Sequence, residues 1–416
     1  MGDALATAER ERSLRGPVLW GLSLLLAILV ACAHQPVRPP SPAAAEASLR
    51  PVSWKELGRI EDDLGFEGFS EACRASLAYF RKIPPSTPVS YGGVKTTAKE
   101  MTEGVEGLLA VSEDSRLSAS EKVRRIQKGS LLFKSSGSDG AGAVLFTGYY
   151  EPWLEGRRTR DERFKVPVYR RPEDMLAVDL SLFPAAKSQA KLVGREKGGQ
   201  VVPYFSRGEI ASGALDGKGF ELLWLEDPVD LFFLQVQGSG RVTLEDGSQV
   251  RLQYHAQNGL PYRSLGKVLI ERGVLPPDQV SMQAIRKYFQ DHPEQLALLN
   301  ENASYTFFRL ETEGPFGNIG VALTPGRSIA TDAKVFPKGA PALVRTRKPV
   351  LNAKGEITGW EPFSRFVFNQ DTGGAITGSG RADLFWGGGP FSEAAAGRMK
   401  EPGELYFLLP KASGTS

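Results

Sequence analysis

Two cysteines and three histidines are all that the 416 residues hold of the side chains most used for metals, disulfides and nucleophilic relays. No HExxH, no Cys/His cluster and no Gly-x-Ser-x-Gly elbow occurs, which argues against a zinc enzyme and a Ser-His-Asp hydrolase. Gly238-Ser239-Gly240 lacks the later glycine and the helix of a dinucleotide loop. No metal and no cofactor are therefore expected. Charge of one sign is lacking too. Against 51 Lys and Arg stand 48 Asp and Glu, and a net charge of +3 does not suit a nucleic-acid binder. Long apolar runs are also scarce, and the one from Val18 to Ala31 is too short to span a bilayer comfortably.

What is abundant is glycine (46) and proline (28), with no collagen-like period, so many turns and a β-rich fold are expected. The N-terminal run follows Arg10, Arg12 and Arg15, with Glu9 and Glu11 beside them, and reads as a targeting segment. Its end, Leu29-Val30-Ala31-Cys32, resembles a bacterial lipobox, the alternative being an uncleaved membrane anchor. The lipobox implies residues 1–31 as a signal peptide and an acylated Cys32. Ala33 in place of Asp then favours the bacterial outer membrane, with the protein facing the periplasm. Residues 32–50 hold Pro36, Pro39, Pro40 and Pro42 and read as an extended tether. If Cys32 carries lipid, Cys73 has no disulfide partner. Among Leu77, Tyr79 and Phe80 it reads as a buried structural thiol.

From Trp54 to about Leu132 the pattern is mainly helical. Ser70 to Phe80 has helical spacing and is stopped by Pro84-Pro85. After a glycine-rich break, Ser135 to Gly142, strand character dominates, with compact runs at Ala143–Tyr150 and Val229–Val236. Asp246-Gly247 between Val242–Leu244 and Val250–Leu252 predicts a hairpin. Ser264 and Gly273 bracket a short helix, Ser281 to Gln290 a second, and Pro293 opens a third. From Ile319 onward the chain is again β-like, as at Ala342–Thr346, Phe363–Phe368 and Leu405–Leu409.

The stretch with chemistry in it is Asp371 to Gly389, where Asp371 and Asp383 sit among small residues and the aromatics Phe385 and Trp386. Apolar surroundings and a neighbouring carboxylate both raise a carboxyl pKa. A carboxylic acid still protonated near neutral pH can protonate a leaving glycosidic oxygen. On spacing alone, a turn-rich segment with two solvated aspartates fits as well. The stretch resembles a signature of the membrane-bound lytic murein transglycosylase A family, and the likeness runs collinearly over roughly residues 55–410. Its other parts are Phe146 to Pro152, Gln235 to Gly240, Asn258 to Lys267, Ser281 to Arg286 and Val321 to Asp332.

That resemblance implies a mainly β fold with flanking helices: a double-psi β-barrel with an inserted smaller β-rich domain. The barrel would come from 51–148 and 313–412, and the insert from 149–312. It implies an exo-acting lytic transglycosylase that cuts the β-1,4 bond between MurNAc and GlcNAc and leaves 1,6-anhydro-MurNAc ends. Peptidoglycan strands are then the partner, the outer membrane holds the lipid, and other cell-wall enzymes are possible associates. Asp332, Asp371 and Asp383 resemble the three aspartates of the barrel module, Asp383 matching the catalytic acid–base and Asp371 a supporting carboxylate. Thr147, Gly148, Tyr150, Gln237, Ser239 and Asp332 become candidates for substrate binding, with turn or core roles as the alternative. Two other functions stay open: a hydrolase in which Asp371 activates water, and a non-catalytic wall-binding lipoprotein.

Overall fold

The computed structural model describes residues 48–411, apart from 184, 186–190 and 355. The signal peptide, Cys32 and most of the tether lie outside the described residues. The strands in chain order are β1 (Leu49–Val52), β2 (Pro88–Tyr91), β3 (Val94–Thr97), β4 (Ser130–Ser135), β5 (Val144–Glu151), β6 (Trp153–Glu155), β7 (Val166–Tyr169), β8 (Met175–Asp179), β9 (Lys191–Lys197) and β10 (Gln200–Pro203). They continue as β11 (Glu221–Leu225), β12 (Ser239–Thr243), β13 (Gln249–Gln257), β14 (Thr306–Glu311), β15 (Ser328–Ala330), β16 (Pro341–Leu351), β17 (Ile357–Asp371), β18 (Arg381–Gly388) and β19 (Lys400–Pro410).

Six of these close on themselves in the order β5-β18-β15-β17-β16-β19, and β19 pairs back onto β5. The ring mixes directions: β5 with β18 and β15 with β17 are parallel, and the other four pairings are antiparallel. Closure leaves no free edge within the ring. β4 and β1 extend the sheet beyond β19. Five ring strands come from residues 328–410, whereas β5 precedes them by more than 170 residues of chain. The sheets β14-β13-β12-β6, β11-β7 and β10-β9-β8 are all formed between β5 and β15.

Helices α1 (Phe69–Lys82), α2 (Ala98–Glu113) and α3 (Ala119–Lys128) precede β4. Thr97 with Glu100 and Ser118 with Glu121 form capping boxes that start α2 and α3. α1 is tied to the ring where Gln370 donates to Ala72 O and Ser76 Oγ. Cys73 is free and buried on this helix, its Sγ 3.5 Å from Val105 O, and burial pushes the thiol pKa well up. A second tie is ionic. Arg327, at the entrance to β15, is fully buried and donates twice to Asp62, at 2.6 and 2.8 Å. Its remaining donors reach Glu67 O and Phe366 O. Removing one partner from such a buried pair costs about 3–5 kcal/mol.

The helices that follow are α4 (Arg207–Ala211), α5 (Pro228–Gln237), α6 (Leu265–Glu271), α7 (Met282–Asp291) and α8 (Pro390–Arg398). The Asp246-Gly247 hairpin forms as expected, Val242 opposite Val250, and Ser264 and Ser281 cap α6 and α7. Pro293 opens a 3-10 helix, Pro293–Glu301. Two expectations fail. Val229–Val236 is helix α5, not a strand: Asp227 caps its start, Pro228 fills its first turn, and Gly238 ends it at φ 80°. Its apolar residues mislead because it is buried on two sides. Val229, Phe232 and Phe233 join the large core, whereas Leu231 and Leu234 join the core of the β11–β13 region. The other miss is α8, which interrupts the β-rich C-terminal part behind Pro390.

Candidate active site

The short strand β15 lies between β17 and β18, and its residue Ala330 is the register partner of both Asp371 and Asp383. The two aspartates therefore flank one residue, their Cα atoms about 10 Å apart at ordinary strand spacing. β5 lies on the far side of β18, with Thr147 beside Asp383 and Tyr149 beside Phe385. Side chains alternate along β5, so Thr147 and Tyr149 share one face. The Thr147 hydroxyl donates to Asp383 Oδ1 at 2.6 Å, and the Tyr149 hydroxyl donates to Asp371 Oδ2 at 3.0 Å. Tyr149 also packs against Phe385, ring centroids 5.2 Å apart. One strand thus addresses both carboxylates.

Both carboxyl pKa values are pushed up to about 6. Burial is the main cause in each, although each residue keeps part of its surface open to solvent. For Asp383, the Thr147 hydrogen bond and the Arg381 charge pull the other way. For Asp371, backbone N–H donors from Thr372 and Asn318, both at 2.8 Å, and Tyr149 oppose burial, and the charge of Asp383 adds to it. The two groups differ in occupancy. Asp371 accepts from three donors, and Asp383 from Thr147. Arg381 donates to the Thr147 oxygen at 3.2 Å, which turns the threonine proton toward Asp383. A carboxyl of pKa about 6 is still about one-tenth protonated at pH 7, enough for acid work.

The other sequence candidates have different surroundings. Gly148 lies against Trp386, whose ring atoms would come within 2.7 Å of an added Cβ, so a larger residue would displace the tryptophan. Tyr150 is buried on the opposite face of β5 from Thr147, its hydroxyl 3.7 Å from Met282 Sδ. Gln237 accepts the Tyr150 N–H at 3.0 Å and so joins the end of α5 to β5. Ser239 is buried where β12 begins. Asp332 accepts from the backbone of Gly378 and Lys334, at 2.8 and 2.9 Å, and fixes the loop between the two aspartates. Among the described residues, no three His, Cys, Asp or Glu side chains converge as metal ligands. Tyr149 and Arg381 were missed in the sequence. The strand period would have found Tyr149, since it shares the face of Thr147 and Tyr150 does not.

Comparisons with known proteins bear on this arrangement. The MltA specific insert domain matches residues 145–309, and the 3D domain matches residues 327–409. Membrane-bound lytic murein transglycosylase A of Vibrio cholerae is 36% identical over 276 residues, 65% of this chain and 67% of that protein. The Escherichia coli K12 protein of the same name is 34% identical over 280 residues, 66% and 68% of the two chains. Among solved structures, the membrane-bound lytic murein transglycosylase of Agrobacterium tumefaciens matches with a TM-score of 0.72 and 29% identity, covering 87% of this chain and 98% of its own. Escherichia coli MltA with bound chitohexaose matches with a TM-score of 0.62 and 28% identity, covering 82% and 90%. The chain belongs to the membrane-bound lytic murein transglycosylase A family.

The Thr147 hydrogen bond yields a signed test. The donor stabilises the Asp383 carboxylate, so Thr147→Val raises the Asp383 pKa, by about half a unit to one unit. If Asp383 is the proton donor, its acid form then persists to higher pH, and the alkaline limb of kcat/KM moves upward by the same amount. An alkaline limb that stays in place or moves down would contradict the assignment.

Proposed function

We propose that Asp383 is the single acid–base of this chain, a peptidoglycan lytic transglycosylase. The observation that carries the assignment is the unequal occupancy of the two carboxylates. Asp371 is held by three donors, which suits a fixed supporting charge. Asp383 has one donor, while its raised pKa and partial exposure are shared with Asp371, so the donor count alone separates them. In the first step, protonated Asp383 gives its proton to the oxygen between MurNAc and GlcNAc, and the C1–O bond breaks. In the second, the resulting carboxylate takes the proton of the muramoyl 6-hydroxyl as that oxygen bonds to C1. The acid is regenerated, a 1,6-anhydro end forms, and no water is consumed. An intramolecular nucleophile needs no second base and carries the proximity advantage of a held reactant. Ordinary glycosidases need a second carboxylate for that role.

We also take the six-stranded ring as a double-psi barrel, and the insert, expected at 149–312, as beginning only after ring strand β5 ends at Glu151, with the glycan running beside it. Support comes from the mixed strand directions, and from the separate small cores of the inserted sheets. Exo action rests on the family resemblance, and outer-membrane lipidation at Cys32 on the lipobox. Among the described residues no helix is long and apolar enough to cross a membrane. Cys32→Ser is expected to release the protein from membranes into the periplasm with its activity intact. A Cys32→Ser protein that remains acylated and membrane-held would refute lipidation at that site.

Asp383→Asn keeps the shape of the side chain and its acceptor for Thr147 but has no acidic proton. It is expected to lower kcat by a factor of about 100 or more while leaving strand binding within about twofold. Asp371→Asn is expected to be milder and to shift the alkaline limit downward, because a like charge next to Asp383 is gone. Near-normal turnover in Asp383→Asn would remove it from the mechanism.

A further inference from the structure

A cavity of about 680 Å³ opens beside α4, α5 and the β7–β11 pair, and neither aspartate of the site lines it. Its wall carries three cations, Arg160, Lys165 and Arg207, together with Asp216, Glu221 and the ring of Trp224. Arg207 is built into the wall and only 6% exposed. Its Nε donates to Asn302 O at 3.0 Å and one Nη to Ser304 O at 2.8 Å, while the guanidinium lies over the rings of Phe232 and Tyr305. Burial holds its pKa down at about 10. Among the described residues none of the three cations is in an ion pair. Arg160 instead lies over Trp224, and Asp216 accepts from the Tyr169 hydroxyl at 3.1 Å.

A buried guanidinium without a counter-ion is costly, and an anion entering the cavity would offset that cost. Inorganic anions would need only the cations. Apolar walls, cations and two carboxylates together fit a ligand that carries both charges on a short carbon frame, which is the chemistry of a peptide. The cavity is also connected to the catalytic strand. Pro228 at the start of α5 lines it, and Gln237 at the helix end holds the N–H of Tyr150, three residues past Thr147. A ten-residue helix and three residues of strand span at most about 25 Å, a distance a glycan strand covers in a few sugars.

We propose that this cavity is a second substrate site, which takes the peptide substituent of a muramoyl residue a few sugars away from the scissile bond. Peptide carboxylates pair with Arg207, Arg160 and Lys165, and an ammonium group pairs with Asp216 or Glu221. The site would make the enzyme favour peptide-bearing strands over bare glycan. This rests on the reading of peptidoglycan as the substrate.

The test compares wild type with Arg160→Gln, Lys165→Gln and the double variant, on peptidoglycan strands and on the same strands stripped of peptide. The double variant is expected to raise KM about tenfold on peptide-bearing strands, with kcat unchanged. Stripped strands should be cut as by wild type. Equal effects on both substrates, or none on either, would overturn the proposal. Arg207→Met should show the same pattern; should it fail to fold, the two exposed cations still decide the matter. Calorimetry of the free tetrapeptide with Asp383→Asn protein separates ligand sources. Peptide binding that is lost in the double variant supports the site. Phosphate binding as tightly as the peptide would mean a general anion site and refute it. Wild-type protein that cuts neither substrate would refute the transglycosylase reading, whereas peptide binding would still report on the cavity alone.

Discussion

The pairing of β5 with β18 is the constraint on which the rest depends. β5 comes from residues 144–151, and the strands that carry the two aspartates come from residues 357–388. Only the parallel register Asp383–Thr147 brings the hydroxyls of Thr147 and Tyr149 to the carboxylates. A slip of one residue would turn both hydroxyls to the other face and present Gly148 and Tyr150 instead. Closure by β19 on the other side of β5 makes such a slip expensive, because it would have to break two ladders at once. Gly148 serves the same register, since it lets Trp386 lie directly against β5.

Two aspartates with similar burial can take different parts because their donors differ. Desolvation raises both, but Asp371 is bound by two backbone N–H groups and a phenol, and Asp383 by one threonine. The scaffold that holds this geometry is stiff. Arg327 and Asp62 lock the entrance of β15 to the segment before α1, and Asp62 accepts the Phe366 N–H on β17 as well. The strand between the two carboxylates is therefore fixed from a part of the chain more than 260 residues away in sequence.

Much of this was legible in the sequence because the signals were local. Asp-Gly hairpin chemistry, Ser caps at 264 and 281, and the isolated Asp371–Asp383 stretch all depend on a few neighbouring residues. What failed depended on tertiary surroundings. The run Val229–Val236 is apolar enough for a buried strand, and only its position between two cores explains why a helix is apolar on both sides. Tyr150 stands among the sequence candidates and Tyr149 does not, although the strand period puts Tyr149 on the face that meets the carboxylates. Asn258, inside one of the resembling motifs, is a buried clamp that bonds Phe205 O, Ala303 O and the Tyr305 N–H, so part of that motif serves folding. Arg207 could not be singled out either, since that it has no counter-ion among the described residues shows only in three dimensions.

The central claim is that the sugar's own 6-hydroxyl, with Asp383 as the only acid–base, replaces water as the nucleophile. Cleaving purified peptidoglycan in oxygen-18 water and weighing the muropeptides tests it directly. Ends formed by the intramolecular route carry no label and keep the mass of the uncut strand, and this account predicts them as the main product. Reducing ends that carry oxygen-18 as the main product would contradict it, and would mean that Asp371 or another carboxylate activates water.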